Sequence, residues 1–473
     1  MSIYVWHDGR PQLSPLLSRL KVRHGSSTDS LSEVKVILRW CGDDKVLKSK
    51  ESMVLNHSYY TNRLQNEHKI QFILRSHAIS YSPPQRASNS LLIKNHEPYY
   101  LIPVFHMESL SLYQLDEGNS LSLKRDHMNS HLLHEIHTER KTGLLRRLER
   151  YAVRAVYALG LDFACVYAQV QRSGQAVIKR IDINPVQSEQ VYDVYAQAIN
   201  DYDHRWLIDN HNRKPVLFGM DPEFLLRNAQ GRIVPASRFL PARGDAGYDS
   251  STVLGRKHIH PLAELRPEPS EHVAALVNNL RRTMWTAAAQ ITDRSLQWLA
   301  GGMPIQGLPL GGHLHMSGIT LNSQLIRALD NYLALPLIMI EDTSTGGRRR
   351  KYGRLGDVRR PGHGGFEYRT LPSWIVSPRI TKGVLALVSI IVRHYEQLTD
   401  RPLDRSNMLK AYIEGNKRIL EPIVIQLWQQ LEATTGFNDQ RMYLEPLKKW
   451  IMEQRIWNEQ HDIRIVWRIP PFN

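Results

Sequence analysis

The sequence has little cysteine and no long apolar run. Its two cysteines, Cys41 and Cys165, lie in apolar stretches, which excludes a disulfide framework and a cysteine-based metal cluster. The first ten residues lack the apolar core of a secretory signal, and no run is long enough for a transmembrane helix. We therefore expect a folded cytoplasmic protein without a membrane partner.

The sequence also lacks zinc-finger, homeodomain and RNP patterns. Its net charge of +15 nevertheless indicates a polyanionic partner. Because the arginines concentrate beside glycines and histidines, we interpret the excess as a polyanionic-substrate site together with a solvated surface, and nucleic acid is not the expected partner. A chain of 473 residues, 42% of them hydrophobic, can build two or three domains with real cores.

The strongest pattern runs from Gly311 to Ser373. Alternate side chains of a strand share a face, so the sequence predicts that His313 and His315 point one way, and that Glu367 and Arg369 do the same. Between these strands we expect a basic loop that carries Arg348, Arg349, Arg350, Lys351, Arg354, Arg359 and Arg360. Two polar strand faces and an arginine-rich loop predict a surface for a metal-bound polyphosphate.

Further acidic residues fall on strand-like segments. Asp221 and Glu223 share a face of the segment from Pro215 to Leu226, and Glu264 precedes Arg266 with the same spacing. Magnesium prefers hard oxygen ligands, so these carboxylates are candidate ligands. Helices are predicted from Ser270 to Ile291, from Asn322 to Ile340 with an interruption at Pro336, and from Ser377 onward.

The N-terminal part predicts a mixture of strands and helices, with a domain boundary near Asp209. The expected strands are Glu33–Cys41, Pro98–Met107, Leu161–Val170 and Ala176–Asn184, and a hairpin or loop is expected over 116–125. The expected helices cover roughly 56–75 and 129–159, and Gly143 is a candidate interruption of the second.

The segments ALGLDF (158–163) and IDINP (181–185) resemble the C-terminal half of an ATP-grasp domain. The resemblance implies that Asp182 and Asn184 help to hold magnesium. Tyr167 stands where a further acid is expected, and no glycine-rich phosphate loop is visible. We therefore expect residues 1–209 to form a degenerate, non-catalytic ATP-grasp-like domain. The alternative is an ordinary strand pair with polar ends.

Four segments of the C-terminal half follow one another in the order GMDPEF (219–224), ELRP (264–267), GHLH (312–315) and FEYR (366–369). They resemble the active-site strands of glutamine synthetase and glutamate–cysteine ligase. With Glu341-Asp342, YGRLGD (352–357) and LPSW (371–374), the pattern resembles the phage-type carboxylate–amine ligases, the amidoligases. The resemblance implies an α+β fold with a glutamine-synthetase-like antiparallel sheet and helices on one face over 210–400, followed by a helical extension over 401–473.

The resemblance also implies roles for individual residues. Asp221, His313 and Glu367 match ligands of an ion at the ATP phosphates, and Glu223 and Glu264 match ligands of an ion near the acceptor. Arg369, Arg354 and His315 are expected to be catalytic, and the expected cofactor-binding residues are Arg266, Arg348, Arg349 and Arg359. No match to the ammonium-site loop of glutamine synthetase is found, which argues against ammonia as the amine.

The expected activity is ATP-dependent ligation of a carboxylate to an amine through an acyl phosphate, with two or three Mg²⁺ ions. The expected partners are small-molecule or peptide carboxylates and amines, and the sequence does not specify an oligomeric state. Two alternatives stay open: a phosphotransferase of the guanidino-kinase type on the same fold, and a basic nucleic-acid-binding protein. We interpret His258, His260 and His363 as ordinary surface or hydrogen-bonded residues.

Overall fold

The computed structural model describes residues 3–27, 34–41, 52–83, 97–115, 133–184, 188–211, 215–249, 252–254, 257–362 and 364–472. The chain divides into two compact units, Met1–Arg213 and Lys214–Asn473. The predicted loop over 116–125, Pro185 and His363 lie outside the described residues. Among the helices that are described, none is both long and apolar enough to cross a membrane.

The described residues of the first unit form two sheets. The strands of the parallel sheet are β1 (Ile3–His7), β2 (Arg23–Gly25), β3 (Val36–Trp40) and β4 (Met53–Leu55), and their order is β2-β1-β3-β4. The strands of the antiparallel sheet are β5 (Tyr99–Phe105), β6 (Glu108–Ser109), β7 (Tyr113–Leu115), β8 (Leu133–Glu135), β9 (Phe163–Val170) and β10 (Ala176–Asp182). Its order is β10-β9-β5-β7-β8, and β6 pairs with β5. The four predicted strands are present as β3, β5, β9 and β10.

The helices of the first unit are α1 (Ser14–Leu17), α2 (Ser58–Thr61), α3 (Glu67–Ser76), α4 (Gly143–Ala158) and α5 (Glu189–His211). The prediction of one helix over 129–159 was wrong at its start, because Leu133–Glu135 form β8 and pair with β7. Helix α4 starts where the Thr142 side chain accepts a hydrogen bond from the Leu145 N–H. Its buried face, including Leu148 and Ala152, packs into one apolar core with residues of β5 and β9.

The second unit is built on one antiparallel sheet. Its strands are β11 (Leu217–Arg227), β12 (Ile233–Val234), β13 (Ala246–Tyr248), β16 (Leu262–Leu265), β17 (Gln297–Leu299), β18 (Gly312–Ser317), β19 (Val358–Arg359) and β20 (Phe366–Tyr368). The order is β13-β16-β11-β18-β20-β19, and β12 and β17 also pair with β11. A separate hairpin pairs β14 (Thr252–Leu254) with β15 (Lys257–Ile259).

The helices of the second unit are α6 (Val273–Gln290), α7 (Ser323–Leu329), α8 (Leu335–Leu337), α9 (Thr345–Lys351), α10 (Pro378–His394), α11 (Ser406–Glu414), α12 (Lys417–Glu432), α13 (Phe437–Met452) and α14 (Ile463–Trp467). Helix α10 starts as predicted, with the Ser377 hydroxyl accepting from the Ile380 N–H at 3.3 Å. Ser270 does not cap α6, because it forms an isolated bridge with Phe218, and α6 begins after His272.

Two further predictions about local structure need correction. The interruption before Pro336 begins earlier, in a π-helical turn over Asp330–Ala334. The expected basic loop starts as a helix, since Thr345–Lys351 form α9. The α+β class with an antiparallel sheet is confirmed. Behind that sheet, the Tyr368 hydroxyl bonds Asp330 of the π-helical turn at 2.7 Å, and α6 packs on β13 and β16.

Candidate active site

Strand pairing places the predicted acidic and imidazole side chains on one face of the sheet. Residues directly opposite each other in an antiparallel pair share a face, as do residues two apart along a strand. The opposed pairs are Asp221 with His313, Glu223 with Glu264, and His315 with Glu367. Four strands therefore deliver six ionisable side chains to a single surface.

Glycines make room for the two imidazoles. A Cβ at Gly311 would lie 2.2 Å from His313 Nε2, so no other residue fits there without displacing that ring. A Cβ at Gly219, opposite His315, would lie 3.3 Å from the His315 Cβ, which is a tight contact. Gly311, directly before the GHLH segment, and Gly219 of the GMDPEF segment thus serve the packing of the site.

The centre of the site is the ionic cluster of Asp221, His313, His315 and Glu367. His313 Nδ1 lies 3.1 Å from Asp221 Oδ1 and 3.4 Å from Glu367 Oε1. His315 Nε2 lies 3.2 Å from Asp221 Oδ2. Asp221, His313 and Glu367 are buried, whereas 29% of the His315 side chain is exposed and forms an accessible edge of the cluster.

These residues fit a divalent cation. Asp221, His315 and Glu367 offer ligand atoms that all lie within 4.8 Å of one another. Asp221 Oδ1, His315 Nε2 and Glu367 Oε1, and also His313 Nδ1, are buried without a hydrogen bond of acceptable geometry. Such atoms are rare in folded proteins, and carboxylates with an imidazole suit a hard divalent ion. His315, expected beside the phosphates, is therefore a candidate ligand together with His313.

Glu223 and Glu264 form a second acidic position beside the first. Burial raises the pKa of Glu223 to about 7, although His313 and a 2.6 Å hydrogen bond from the Gly311 N–H oppose this shift. Burial and the neighbouring Asp221 raise the pKa of Glu264 to about 9, against the effect of its ion-pair partner Arg266. A cation bound here would displace protons from these carboxyl groups.

Asp221 behaves in the opposite way. Burial alone would raise its pKa, but the adjacent imidazoles of His313 and His315 lower it well below its usual range. Burial likewise opposes the charged form of His313, yet the Asp221 carboxylate raises the pKa of that imidazole. The site therefore combines one carboxylate whose pKa is lowered with two carboxyl groups whose pKa values are raised.

Two of the predicted arginines flank the cluster. Arg369 Nε lies 3.0 Å from Glu367 Oε1, and Arg359 binds the other carboxylate oxygen. More than half of the Arg359 side chain is exposed, which leaves it accessible to a ligand. Arg266 pairs with Glu264, and Arg354 is half-buried with its carbonyl accepting from the Thr370 hydroxyl at 2.9 Å.

Arg348 and Arg349 do not belong to this ionic cluster. The Arg348 guanidinium is buried and donates to three backbone carbonyls, those of Leu310 at 2.6 Å, Thr370 at 2.8 Å, and Leu371. Arg349 is also buried and pairs with Glu341. The structure thus directs both arginines to protein groups, and they hold α9 in place.

Tyr352 is a residue of the site for which the sequence indicated no role. Its hydroxyl lies 2.8 Å from His313 Nε2 and accepts a 2.8 Å hydrogen bond from Arg369. In the sequence, only the resemblance of the YGRLGD segment drew attention to Tyr352. A tyrosine two residues after a run of arginines forms no periodic pattern that would predict its role.

The first unit carries a contrasting carboxylate. Asp182 pairs with Arg180 and accepts a hydrogen bond from the Asn184 N–H at 3.0 Å. Arg180 lies opposite Tyr167 in the strand pair, with its guanidinium 5.3 Å from the centre of that ring. The carboxylate predicted to hold magnesium therefore already has a cationic partner.

The decisive comparison is with protein families. The sequence model of the family described as phage phiEco32-like COOH.NH2 ligase-type 2 matches residues 218–469, which is more than half of the chain. The chain belongs to this family of carboxylate–amine ligases. The match covers the whole sheet face described above and the helices that follow it. No curated protein matches the sequence.

Solved structures of other ligases show only distant similarity to this family member. Glutamate–cysteine ligase from Francisella tularensis, in complex with AMP, is 9% identical over 54% of this chain and 87% of its own, with a TM-score of 0.36. A bifunctional glutathione synthetase from Pasteurella multocida is 11% identical over 57% and 49%, with a TM-score of 0.33. The ATP-grasp ligase PsnB with a minimal precursor is 9% identical over 39% and 90%, with a TM-score of 0.26. Similarity at this level supports no argument about the present chain.

Proposed function

We propose that this carboxylate–amine ligase uses ATP and Mg²⁺ and forms its amide through an acyl phosphate. The observation that carries the proposal is the set of buried ligand atoms of Asp221, His315 and Glu367, which converge without hydrogen bonds beside Arg359 and Arg369. This arrangement offers positions for a cation and for anionic oxygen atoms side by side, as transfer of a phosphoryl group requires.

The proposed ion positions follow from the two acidic groups. Asp221, Glu367 and the histidines would hold an ion at the ATP phosphates, and Glu223 with Glu264 would hold another near the acceptor. Bound Mg²⁺ supplies positive charge that offsets the charge of the polyphosphate. Arg359 and Arg369, which are fixed by Glu367, present planar guanidinium groups suited to phosphate or carboxylate oxygens.

The proposed reaction has two steps. An oxygen of the substrate carboxylate attacks the γ-phosphorus of ATP, the bond to the ADP oxygen breaks, and an acyl phosphate forms. The amine nitrogen then attacks the acyl carbon, phosphate leaves with the shared electron pair, and the nitrogen loses a proton. Arg359 and Arg369 stabilise the charge that develops on the transferred phosphoryl group. The substrates are small-molecule or peptide carboxylates and amines, and the reaction takes place in the cytoplasm.

We assign this chemistry to residues 210–400, with 401–473 as the helical extension of the same domain. Residues 1–209 form a degenerate ATP-grasp-like domain that docks or presents a substrate. The surroundings of Asp182 support this division, because Cys165 lies opposite Asp182 and Tyr167 lies opposite Arg180 in the strand pair, where further carboxylates would be needed to hold an ion.

The test combines a substrate screen with isotope transfer. ADP release is measured with Mg²⁺ and ATP against pairs drawn from amino acids, short peptides and polyamines, and the products are identified by mass spectrometry. With a substrate carboxylate labelled with ¹⁸O, we expect an amide product and one ¹⁸O atom in the released phosphate. A stable phosphorylated product without an amide would instead show a phosphotransferase, and an amide with unlabelled phosphate would exclude the acyl phosphate.

A further inference from the structure

The Tyr352 hydroxyl lies between the imidazole of His313 and the guanidinium of Arg369, 2.8 Å from an atom of each. His313 reaches the cluster through its other nitrogen, and Arg369 reaches it through Glu367. One phenol oxygen therefore contacts both the cation-facing and the anion-facing parts of the site.

The position of Tyr352 is fixed by its surroundings. It follows the last residue of α9, and its N–H donates to the Arg348 carbonyl at 2.8 Å. The Arg348 side chain ties α9 to the carbonyls of residues that precede β18 and follow β20. Gly353 then turns the chain with φ +63, where a Cβ would lie 2.3 Å from an Arg348 nitrogen. The hydroxyl is thus held against the two strands that carry His313 and Arg369.

Counting donors limits what the hydroxyl can do. A guanidinium only donates, so the Tyr352 oxygen accepts from Arg369 and keeps one hydrogen to give away. If it gives this hydrogen to His313 Nε2, the ring proton is on Nδ1, which faces the oxygens of Asp221 and Glu367. This arrangement directs the ring proton towards the two carboxylates when no cation is present.

The reverse arrangement suits a bound cation. When Nε2 carries the ring proton, it donates to the Tyr352 oxygen, and the lone pair of Nδ1 faces the two carboxylates. A lone pair directed at two anions is favourable only with a positive charge between them. The phenol can support both arrangements because a hydroxyl is both a donor and an acceptor.

We propose that Tyr352 is a positioning residue that allows the His313 ring proton to move from Nδ1 to Nε2 when a divalent cation binds, while it holds Arg369 beside Glu367. The inference rests on the cation site of the proposed function. It explains how the site can exist both with and without the bound ion. It also makes Tyr352 a determinant of the affinity for the cation.

The first experiment measures binding of Mn²⁺ alone to the full chain by electron paramagnetic resonance, without ATP. Tyr352→Phe keeps the ring between the guanidinium groups of Arg348 and Arg369, which lie 5.2 and 5.5 Å from its centre, and removes only the hydroxyl. We expect a loss of about 10- to 100-fold in Mn²⁺ affinity, as for other groups that orient a ligand. In a His313→Gln background, the same substitution should have no further effect.

Tyr332→Phe is the matched control. It removes a buried tyrosine hydroxyl that bonds Gln430 and accepts from the Asp400 N–H at 2.9 Å in the helical part of the unit. We expect it to leave the Mn²⁺ affinity unchanged. Equal Mn²⁺ affinity of wild type and folded Tyr352→Phe would overturn the inference and leave the proposed function intact, whereas a wild type that binds no Mn²⁺ would overturn both.

A second measurement needs no substitution of Tyr352. The ¹⁵N spectrum of histidine-labelled wild type, with the His313 signal identified by its loss in His313→Gln, reports which ring nitrogen carries the proton. We expect the proton on Nδ1 without a cation and on Nε2 with Mg²⁺. A proton on Nε2 in both states would overturn the inference, even if Tyr352→Phe failed to fold.

Discussion

Asp182 and Asp221 are strand carboxylates of two antiparallel sheets, one in each unit, and their surroundings differ in kind. Asp182 has a guanidinium partner and a backbone N–H donor. Asp221 lies against two imidazoles, and its Oδ1 has no hydrogen bond of acceptable geometry. At Asp182 the guanidinium of Arg180 supplies the positive charge. At Asp221 an added cation would supply a partner for the carboxylate oxygen.

The difference teaches that an acidic motif is a weak predictor until its neighbours are known. The sequence contexts of both aspartates resemble magnesium sites, although the domain that carries Asp182 was expected to be degenerate. An arginine partner does not by itself distinguish the two aspartates, since Glu264 and Glu367 beside Asp221 also pair with arginines. Four further ionisable side chains face Asp221 across the strands, and their number, more than the aspartate itself, makes the second site distinctive.

The largest effect is expected for Glu367→Gln, which keeps the shape of the side chain and removes its charge. Glu367 is fully buried and joins the cluster to Arg359 and Arg369, so the variant should lose at least about 100-fold in ATP turnover. The assay is ADP release, with the thermal unfolding midpoint as a check on folding. Asp182→Asn is the control, and near-normal turnover of folded Glu367→Gln would remove the central assignment.

The next largest difference between the Asp221 site and Asp182 is expected in the pH dependence of cation binding. Glu223, with a pKa of about 7, and Glu264, with a pKa of about 9, are protonated at low pH and must lose protons to bind an ion. Affinity for Mg²⁺ should therefore rise more than about tenfold between pH 6 and pH 9, as measured by calorimetry. Glu264→Gln should flatten the upper part of this curve, and Asp182→Asn should leave it unchanged. A flat curve for the wild type would show that neither carboxyl group is a ligand.

The same shifts predict the stability of the ion-free protein. The folded-state pKa of Glu264 is raised from 4.5, so the folded state binds more protons than the unfolded state between about pH 4.5 and 9. Stability from this group is present below that window and is lost as the pH rises through it. The unfolding midpoint in a chelator should fall across this range, and Mg²⁺ should reverse the fall. A midpoint that rises with pH in the chelator would contradict the sign of the shift.

Two arginines allow a structural role to be distinguished from a role in binding ATP. Arg348→Ala removes a buried guanidinium that donates to three carbonyls and should lower the free energy of unfolding by about 3 kcal/mol. Arg359→Ala removes an exposed side chain and should leave the unfolding midpoint nearly unchanged while it raises the KM for ATP about tenfold. Denaturant titrations and steady-state kinetics of both variants check this division. Equal effects of the two variants on KM would return Arg348 to the binding site.

The sequence predicted the residues of the sheet face better than it predicted the residues that hold them in place. Period-two spacing is local, so Asp221 with Glu223 and His313 with His315 could be assigned to common faces before the strands were paired. Helix α9 could not be predicted in this way, because its segment contains two adjacent glycines, which disfavour a helix. It is held by the distant carbonyl groups that Arg348 contacts. Contacts of this kind leave no local pattern, and for the same reason the role of Tyr352 was missed.

The smallest effect is expected for Asp182→Ala, and it tests whether the first unit performs chemistry. The Asp182 carboxylate is already paired with Arg180, and the residues opposite Asp182 and Arg180 in the strand pair are Cys165 and Tyr167, neither of which is an acid that could share an ion. We expect ATP turnover within about twofold of the wild type, while Glu223→Ala, at the acceptor end of the other sheet, should abolish it. Removing Asp182 does leave Arg180 half-buried without that partner, so the unfolding midpoint should fall slightly even though turnover does not. If Asp182→Ala reduced turnover as severely as Glu223→Ala, while both proteins stayed folded, the chain would contain two working ATP sites, and the contrast between the two carboxylates would be wrong.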